Sequence, residues 1–504
     1  MLSGPSVVPP GTAEPAHPAG PGSSRRTAPR VVAGPTGTDQ VGTEQVGTEQ
    51  VGTGQACTEQ VGTEPTGVGP TSAGPTSAAR PTTAPPGWEI LLRDEGRQHL
   101  RAIAADLAAG ASLEHAGARL RAAGVAPESV AALLTQTELR AKARTKFGEA
   151  ADRLLFTPAG LEQASRASVA ALHAERFAAA GCRAVADLGC GIGTESRALI
   201  AAGVGVLPVE IDPFTAAIAE ANLSAVMTEA NLSAVDIPTA SLTASDLSVQ
   251  AGTPVRVDVR DAEQADLTGA DAAFLDPARR TAGHRDTRRL TSPHDYSPSL
   301  EFAFDLGERM PTGIKLGPGF DRELIPPDAE AQWVSVDGQL VETGLWFGAV
   351  ARPGVRRAAL VIRGAERHEL TAPGDASDVE PRPLGEYVHE PDGAVIRARL
   401  IGALADRIGA GMVSEGIAYL TSDTAVPTPF AQTFRVLERL PAGEKPLRRA
   451  LAERGIGRLE IKKRGVPVDP AALRTRLRLR GSGSATLILT RAQGAHVALL
   501  AERL

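Results

Sequence analysis

The stretch that decides the fold reads Ala184-Val185-Ala186-Asp187-Leu188-Gly189-Cys190-Gly191-Ile192-Gly193-Thr194. Ala184 to Leu188 is a short apolar run of strand type, and it passes directly into three glycines on alternate positions before helical spacing takes over from Thr194 to Ala202. Glycine is required where the backbone turns sharply and lets a ligand approach with no Cβ in the way. Strand, glycine loop and helix in succession predict a ligand cradle at the carboxyl end of a buried strand.

Working outward, short apolar runs alternate with helical stretches: Val204 to Ile211, Val255 to Val259, Ala272 to Leu275, Thr312 to Leu316, Trp333 to Val336 and Ala359 to Ile362. Strands separated by helices predict an α/β fold, a parallel sheet covered on both faces. Within it Ala221-Asn222-Leu223-Ser224-Ala225-Val226 recurs nine residues later as Ala230 to Val235, a duplication that lengthens a surface helix or loop and carries no assigned function. Upstream, Trp88 to Ala180 has apolar residues at helical spacing, as in Leu100, Ile103 and Leu107, punctuated by Gly110, Gly124 and Thr157-Pro158. Downstream, the polar stretch Ala372 to Pro383 reads as a linker to a smaller α+β unit. Its helices are expected near Ala398 to Arg407 and Pro446 to Arg454, and its late strands near Arg458 to Lys462 and Ala485 to Thr490.

The 504 residues are 42% hydrophobic, enough for two or three domains, but the apolar content is unevenly spread. Through about Pro86 the chain is Gly, Pro, Thr, Ser, Ala and Gln, too poor in large apolar side chains to offset the entropy of ordering, so a disordered tail is expected. The pentad Val41-Gly42-Thr43-Glu44-Gln45 and its drifting copies fit no helical or solenoid period and read as low-complexity expansion. Met1 to Gly20 lacks a basic start and an apolar core, and the chain has no apolar run of membrane-spanning length, so a cytoplasmic protein is expected. Three cysteines, Cys57, Cys182 and Cys190, are too few for a disulfide framework. A net charge of −6 does not favour nucleic acid, yet Arg435 to Arg480 holds 14 Lys and Arg against five Asp and Glu.

The glycine pattern is G-x-G-x-G with Thr194 following, not the G-x-G-x-x-G of dinucleotide folds. With Asp187 two places ahead it has the form of S-adenosylmethionine-binding loops, where the acid sits near the methionine end. Glu210 ends the second strand 17 residues beyond Gly193, where a carboxylate can accept both hydroxyls of a ribose. Asp212 is its rival, although Asp212-Pro213 more naturally opens a helix. Asp261 follows the third strand and can accept a hydrogen bond from an adenine amino group, unless it is an ordinary exposed acid.

The fourth strand runs Asp271-Ala272-Ala273-Phe274-Leu275-Asp276-Pro277-Ala278-Arg279-Arg280. Acid and proline at a strand's carboxyl end lie where open α/β sheets bind substrates. The motif resembles the D/N-P-P-x of methyltransferases acting on amino or ring nitrogens, in which Asp276 and Pro277 would hold the target nitrogen. It departs at Ala278, which replaces the second proline, and at Arg279, where base-amino methyltransferases carry an aromatic stacking residue. Arg279 and Arg280 can fork onto phosphate or carboxylate, or simply be solvated. Methylation at pyrimidine carbon five requires a cysteine nucleophile, and no cysteine follows Cys190, which reads as a small filler in the glycine loop. Lys315 at the end of Thr312 to Leu316 is a substrate contact or a solvated lysine. His284 and His294, flanking Arg285, Arg288 and Arg289, lack metal-ligand spacing, so no metal is assigned.

Phe147 to Ile362 therefore resembles the class I S-adenosylmethionine-dependent methyltransferases, more narrowly a bacterial branch related to tRNA guanine methyltransferases. Pro429-Phe430 to Leu440 and Gly455 to Gly465 look like the THUMP-like domain attached to that branch. The resemblance implies a Rossmann-like sheet, S-adenosylmethionine as cofactor bound by Asp187, Gly189, Cys190, Gly191, Gly193, Glu210 and Asp261, and Asp276 beside the transferred methyl. The expected segments are a tail over 1–86, helices over 87–160, the methyltransferase domain over 161–371, a linker over 372–383 and an α+β region over 384–504, THUMP-like from about 428. An RNA substrate of tRNA type would meet Lys462, Lys463 and Arg464, together with Arg474, Arg476, Arg478 and Arg480. Aromatic residues are nearly absent there, so contacts would fall on phosphates. Competing readings are a methyltransferase for a small molecule or protein, and a non-catalytic RNA-binding factor on a cofactor-binding scaffold.

Overall fold

The computed structural model describes residues 84–230, 255–279 and 296–504. The expected tail up to residue 83, the second copy of the duplicated segment beyond residue 230, Arg280 and the histidine–arginine loop lie outside the described residues.

Five helices open the described chain: α1 (Asp94–Ala108), α2 (Leu113–Ala122), α3 (Pro127–Phe147), α4 (Pro158–Gln163) and α5 (Ala167–Ala179). Gly110 and Gly124, at φ 89° and 83°, end the first two in the left-handed region. The Ser112 hydroxyl caps α2 by accepting from the His115 N–H at 3.1 Å. Leu100, Ile103, Leu120, Leu133 and Phe147 pack into a core of their own, which also takes in Ile192, Phe214 and Ile218 from the sheet domain.

The main sheet begins with β1 (Ala184–Leu188), α6 (Thr194–Ala201), β2 (Gly205–Glu210), α7 (Pro213–Ala230), β3 (Asp258–Val259) and β4 (Ala272–Leu275). The two-residue strands β5 (Ala278–Arg279) and β6 (Tyr296–Ser297) pair with each other, and α8 (Leu300–Arg309) and β7 (Thr312–Leu316) follow. Next come β8 (Glu330–Val336), β9 (Gln339–Phe347), β10 (Arg357–Arg363) and β11 (Glu366–Ala372). Strand order is β11-β10-β8-β9-β7-β4-β1-β2-β3. The chain moves one way from β1 through β3, then crosses back to β4 on the other side of β1, so a crevice opens at the carboxyl ends of β1 and β4.

The sheet is not parallel throughout, as the alternating pattern predicts. Strands β1, β2, β3, β4 and β7 are parallel, but β9 runs antiparallel to both β7 and β8, and β11 antiparallel to β10. Asp337-Gly338 explains β9: Asp337 at φ 50° and Gly338 at φ 80° make a two-residue reversal between adjacent strands, too short for a helical crossover. The expected strand Val255 to Val259 contracts to Asp258–Val259.

Alternate strand residues face opposite layers. Val185, Val206 and Phe274 pack with Phe177 of α5 and Leu199 of α6, while Ala186, Ala273 and Ile314 face Leu300 and Leu306 of α8. Helices α9 (Gly393–Arg397) and α10 (Ile401–Ile408) contribute Val395, Leu404 and Ile408 to that second layer. The segment after the expected linker gives one strand, Tyr387–Pro391, to the second sheet and then completes the main sheet's core before the chain returns to that sheet.

That sheet combines β12 (Tyr387–Pro391), β13 (Gly411–Met412), β14 (Leu420–Ser422), β15 (Ala431–Leu440), β16 (Ile456–Lys463), β17 (Gly483–Ala492) and β18 (Ala495–Arg503), in the order β13-β14-β12-β15-β18-β17-β16. Helices α11 (Glu444–Glu453) and α12 (Pro470–Leu477) cover one face through Leu447, Leu451, Leu473 and Leu477. Arg474 and Arg476 lie on α12, and Arg478 is its C-cap residue.

Candidate active site

The glycine loop leaves β1 with Gly189 and Cys190, whose N–H groups both donate to the Val209 carbonyl at 2.9 Å. Gly189, Gly191 and Gly193 all hold positive φ, at 85°, 57° and 79°, which side chains tolerate poorly. Gly193 is the N-cap residue of α6. The loop is pinned from below by Asn222, whose side-chain amide donates to the carbonyls of Ile192 and Leu155 at 2.9 Å and accepts from the Leu155 N–H at 2.8 Å. Asn222 lies in the duplicated segment that sequence reading left without a role; its burial was not legible there because helical position alone does not say what lies beneath.

A cavity of about 190 Å³ opens over the loop, lined by Gly189, Cys190, Gly191, Ile192, Thr194, Glu195, Glu210, Ile211, Arg260, Asp261, Asp276, Ala278, Ser297 and Pro298, with Gly160, Gln163 and Ala164 of the helical region closing one side. It brings together Gly189, Cys190, Gly191, Glu210, Asp261 and Asp276 from separate strand ends. Glu210 accepts from the Gly191 N–H at 3.0 Å and from the Asp212 N–H at 2.9 Å. Burial raises its carboxyl above the usual range, against the pull of those donors. Each of its oxygens keeps a lone pair for a further donor. Asp212 instead accepts from the Thr215 N–H at 2.9 Å and so opens α7. Asp261 accepts from the Glu263 N–H at 3.1 Å at the cavity rim.

Asp187 is placed differently from expectation. It is 1% exposed, does not line the cavity, and receives the Ser196 hydroxyl at 2.5 Å beneath the loop. Burial, reinforced by Glu195, pushes its carboxyl up to about 7. A carboxyl raised above its ordinary 3.8 favours folding fully below pH 3.8, and that contribution is lost as pH rises through 7. Asp187→Asn therefore raises the melting temperature of the ligand-free protein at pH 8 and changes it little at pH 5, as measured by differential scanning calorimetry.

Asp276 at the end of β4 bonds Lys315 of β7 at 2.5 Å, and the same ammonium donates to the Gln163 carbonyl at 2.8 Å. Lys315 is 9% exposed, so it is not the solvated strand-end lysine that is the alternative to a substrate contact. Burial alone would lower its pKa, but Asp276, Glu195 and Glu342 together raise it. The end of α4 that supplies Gln163 is itself held by Lys146, which donates to the carbonyls of Leu161, Glu162 and Ala164 at 2.8, 2.6 and 2.8 Å.

Beside this pair is a cluster that sequence reading missed entirely. His173 of α5 bonds Glu342 of β9 at 2.7 Å and stands 3.8 Å from Glu195 of α6, with all three side chains nearly inaccessible. Burial opposes charge on the ring, but the carboxylates prevail and hold it at about 9, while Glu195 is held down at about 2 by His173 and Lys315 despite its burial. No spacing rule links residues 173, 195 and 342; a buried charge requires partners, and that requirement is the only signal.

Pro277 is buried at the end of β4, followed by Ala278 and Arg279 on β5. Far along the chain, Lys462 bonds Glu390 at 2.9 Å and Arg464 lies 3.9 Å from the same carboxylate, whereas Lys463 is exposed. Arg476 pairs with Glu444 at 3.0 Å. Among the described residues no group of three His, Cys, Asp or Glu is arranged to hold a metal ion, and no helix is long and apolar enough to cross a membrane.

Strand order and cavity together define a class I S-adenosylmethionine-dependent methyltransferase fold. The donor set fits the cofactor: glycines that leave the loop open, so that a Cβ on Gly189 would meet only the Asp276 carbonyl at 3.9 Å, a carboxylate with spare lone pairs, and acidic groups toward Asp276. The chain is 34% identical over 367 residues to an uncharacterized S-adenosylmethionine-dependent methyltransferase of Mycobacterium tuberculosis, matched in two strains, covering 71% of this chain and 92% of the relative. The crystal structure of a protein from Porphyromonas gingivalis, titled as a methyltransferase, shares the fold at a TM-score of 0.56 and 22% identity, over 75% of this chain and 91% of that one. Residues 431–503 match the family described as THUMP domain-like, inside the 428–504 expected. The protein belongs to the S-adenosylmethionine-dependent methyltransferases, with a THUMP-like domain at its C-terminus, and S-adenosylmethionine is its cofactor.

Proposed function

We propose that this enzyme methylates a nitrogen of structured RNA such as tRNA. One observation carries the chemistry: Asp276 and the glycine loop line the same cavity, with Asp276 oriented by Lys315. The cofactor supplies a methyl already activated on a sulfonium. The chain's own work is alignment, which brings the nucleophile in line and excludes water. Asp276 accepts a hydrogen bond from the target N–H, and burial, which raises its carboxyl, fits it to take the proton released as the N–C bond forms. Glu210 binds the ribose hydroxyls, Asp261 the adenine amino group, and the backbone of Gly189, Cys190, Gly191 and Gly193 makes room for them.

The RNA part rests on the THUMP domain-like match and on the basic run. Lys463, Arg478 and Arg480 are exposed and suited to phosphates, and Arg279 follows the catalytic motif directly. The ion pairs of Lys462, Arg464 and Arg476 favour a second reading, in which the substrate is a small molecule or protein.

Mass spectrometry of tRNA nucleosides from cells with and without the gene tests the proposal, together with methyl transfer to that tRNA by purified protein. A single methylated nucleoside that disappears with the gene and is restored in vitro is the expected result. Unchanged nucleosides, with no salt-dependent tRNA binding even at low ionic strength, would turn the reading to the small-molecule or protein substrate.

A further inference from the structure

Among the described residues four carboxylates, Glu195, Glu210, Asp261 and Asp276, line the cavity against one guanidinium, Arg260, which is already paired with Asp258 at 2.9 Å. The deepest of them belong to the buried cluster, where, among the described residues, Glu195, Glu342 and Asp276 meet two cations, His173 and Lys315. Lys146, the next cation, is committed to three carbonyls at the end of α4. Among the described residues one negative charge is thus left over, in a space where Glu195 and Glu342 are nearly inaccessible and Asp276 is 29% exposed. Glu195 is where it surfaces: the residue is 6% exposed, lines the cavity, and one of its carboxylate oxygens has no hydrogen-bond partner, its nearest cation being His173 at 3.8 Å. A nearly fully buried carboxylate oxygen without a donor is costly, and the favourable remedy is a cation delivered by a ligand.

We infer that Glu195, held by His173 and Glu342, is a positioning and specificity-determining residue that makes the pocket prefer a cationic sulfonium over the neutral thioether left after methyl transfer. The inference rests on the cofactor reading above. Its consequence is directional: the pocket attracts the charged cofactor, and once the methyl and its charge have gone, the carboxylates of the cavity again outnumber the described cations beside them and the product is released more readily. Charge separation of this kind in a shielded site is sufficient to move a binding ratio by about tenfold or more.

Isothermal titration calorimetry of the full-length protein with S-adenosylmethionine, S-adenosylhomocysteine and sinefungin, which carries an ammonium in place of the sulfonium methyl, tests it. Wild type should bind the two cationic ligands about tenfold or more tightly than the thioether. Glu195→Gln should lose most of that ratio by weakening the cationic ligands while leaving the thioether within about twofold. Glu342→Gln, which removes a charge behind His173 without altering the lining, should reduce the ratio in the same direction, and the circular-dichroism spectrum of each variant at the titration temperature shows that the protein titrated is folded. Equal loss of all three ligands in Glu195→Gln would assign Glu195 to a group they share and overturn the inference. A wild type that binds S-adenosylhomocysteine as tightly as S-adenosylmethionine would also overturn it, with the cofactor assignment intact. A wild type that binds none of them would overturn both.

Discussion

Asp276→Asn lowers kcat for methyl transfer by about 10²- to 10⁴-fold while S-adenosylmethionine affinity stays within about threefold, the range expected when one positioned acid–base group is removed. The substitution keeps the shape of the side chain and an acceptor for Lys315, so the β4–β7 contact at the cavity survives. What disappears is the negative charge proposed to receive the target's proton. Because Asp276 lies at the substrate end of the crevice and Glu210 on the other side of the glycine loop, the loss falls on kcat and leaves the ribose side untouched. Single-turnover measurement with radiolabelled cofactor, alongside calorimetric binding, separates the two. Retained turnover would remove Asp276 from the chemistry.

Glu342→Gln destabilises the fold by about 3–5 kcal/mol at pH 7, the cost of removing one partner from a buried ion pair. Glu342 is 2% exposed and its bond to His173 joins β9 to α5, so water cannot replace the lost charge and the ring keeps only Glu195, 3.8 Å away. The effect depends on pH in a defined direction. His173 is raised from 6.5 to about 9, so its contribution is fully present below pH 6.5 and lost as pH rises through 9. Glu195 is lowered from 4.5 to about 2, so its contribution is present above pH 4.5 and lost as pH falls through 2. The gap between wild type and Glu342→Gln in urea midpoint should therefore be wider at pH 6.5 than above pH 9. A gap that is constant across that range would mean that His173 is neutral in the folded protein.

The same sheet contains elements legible in the chain and others that are not. Asp187 to Gly193 was legible because a glycine loop needs a residue type, not a neighbour: positive φ at alternate positions is written directly into the sequence. Glu210 and Asp276 were legible because they end apolar runs, and in an open α/β sheet strand ends converge on one crevice. The antiparallel strand β9 was harder to see, since Gln339–Phe347 carries Glu342, Thr343 and Gly344 where an apolar run would be expected, and Glu342 is there to meet His173.

The sequence by itself determined the cofactor loop, the order of strands leading to it and the acid at the fourth strand, because each follows from local backbone demands and periodicity. Only the tertiary structure decided which charges count. It placed Asp187 beneath the loop and not in the cavity, made Lys315, read as a substrate contact or a solvated lysine, the partner of Asp276, and tied Lys462 and Arg464 to Glu390. It also gathered His173, Glu195 and Glu342 into one buried cluster. The physical reason is that the energy of a charge depends on the dielectric and the partners around it, and these are supplied by residues tens to hundreds of positions away.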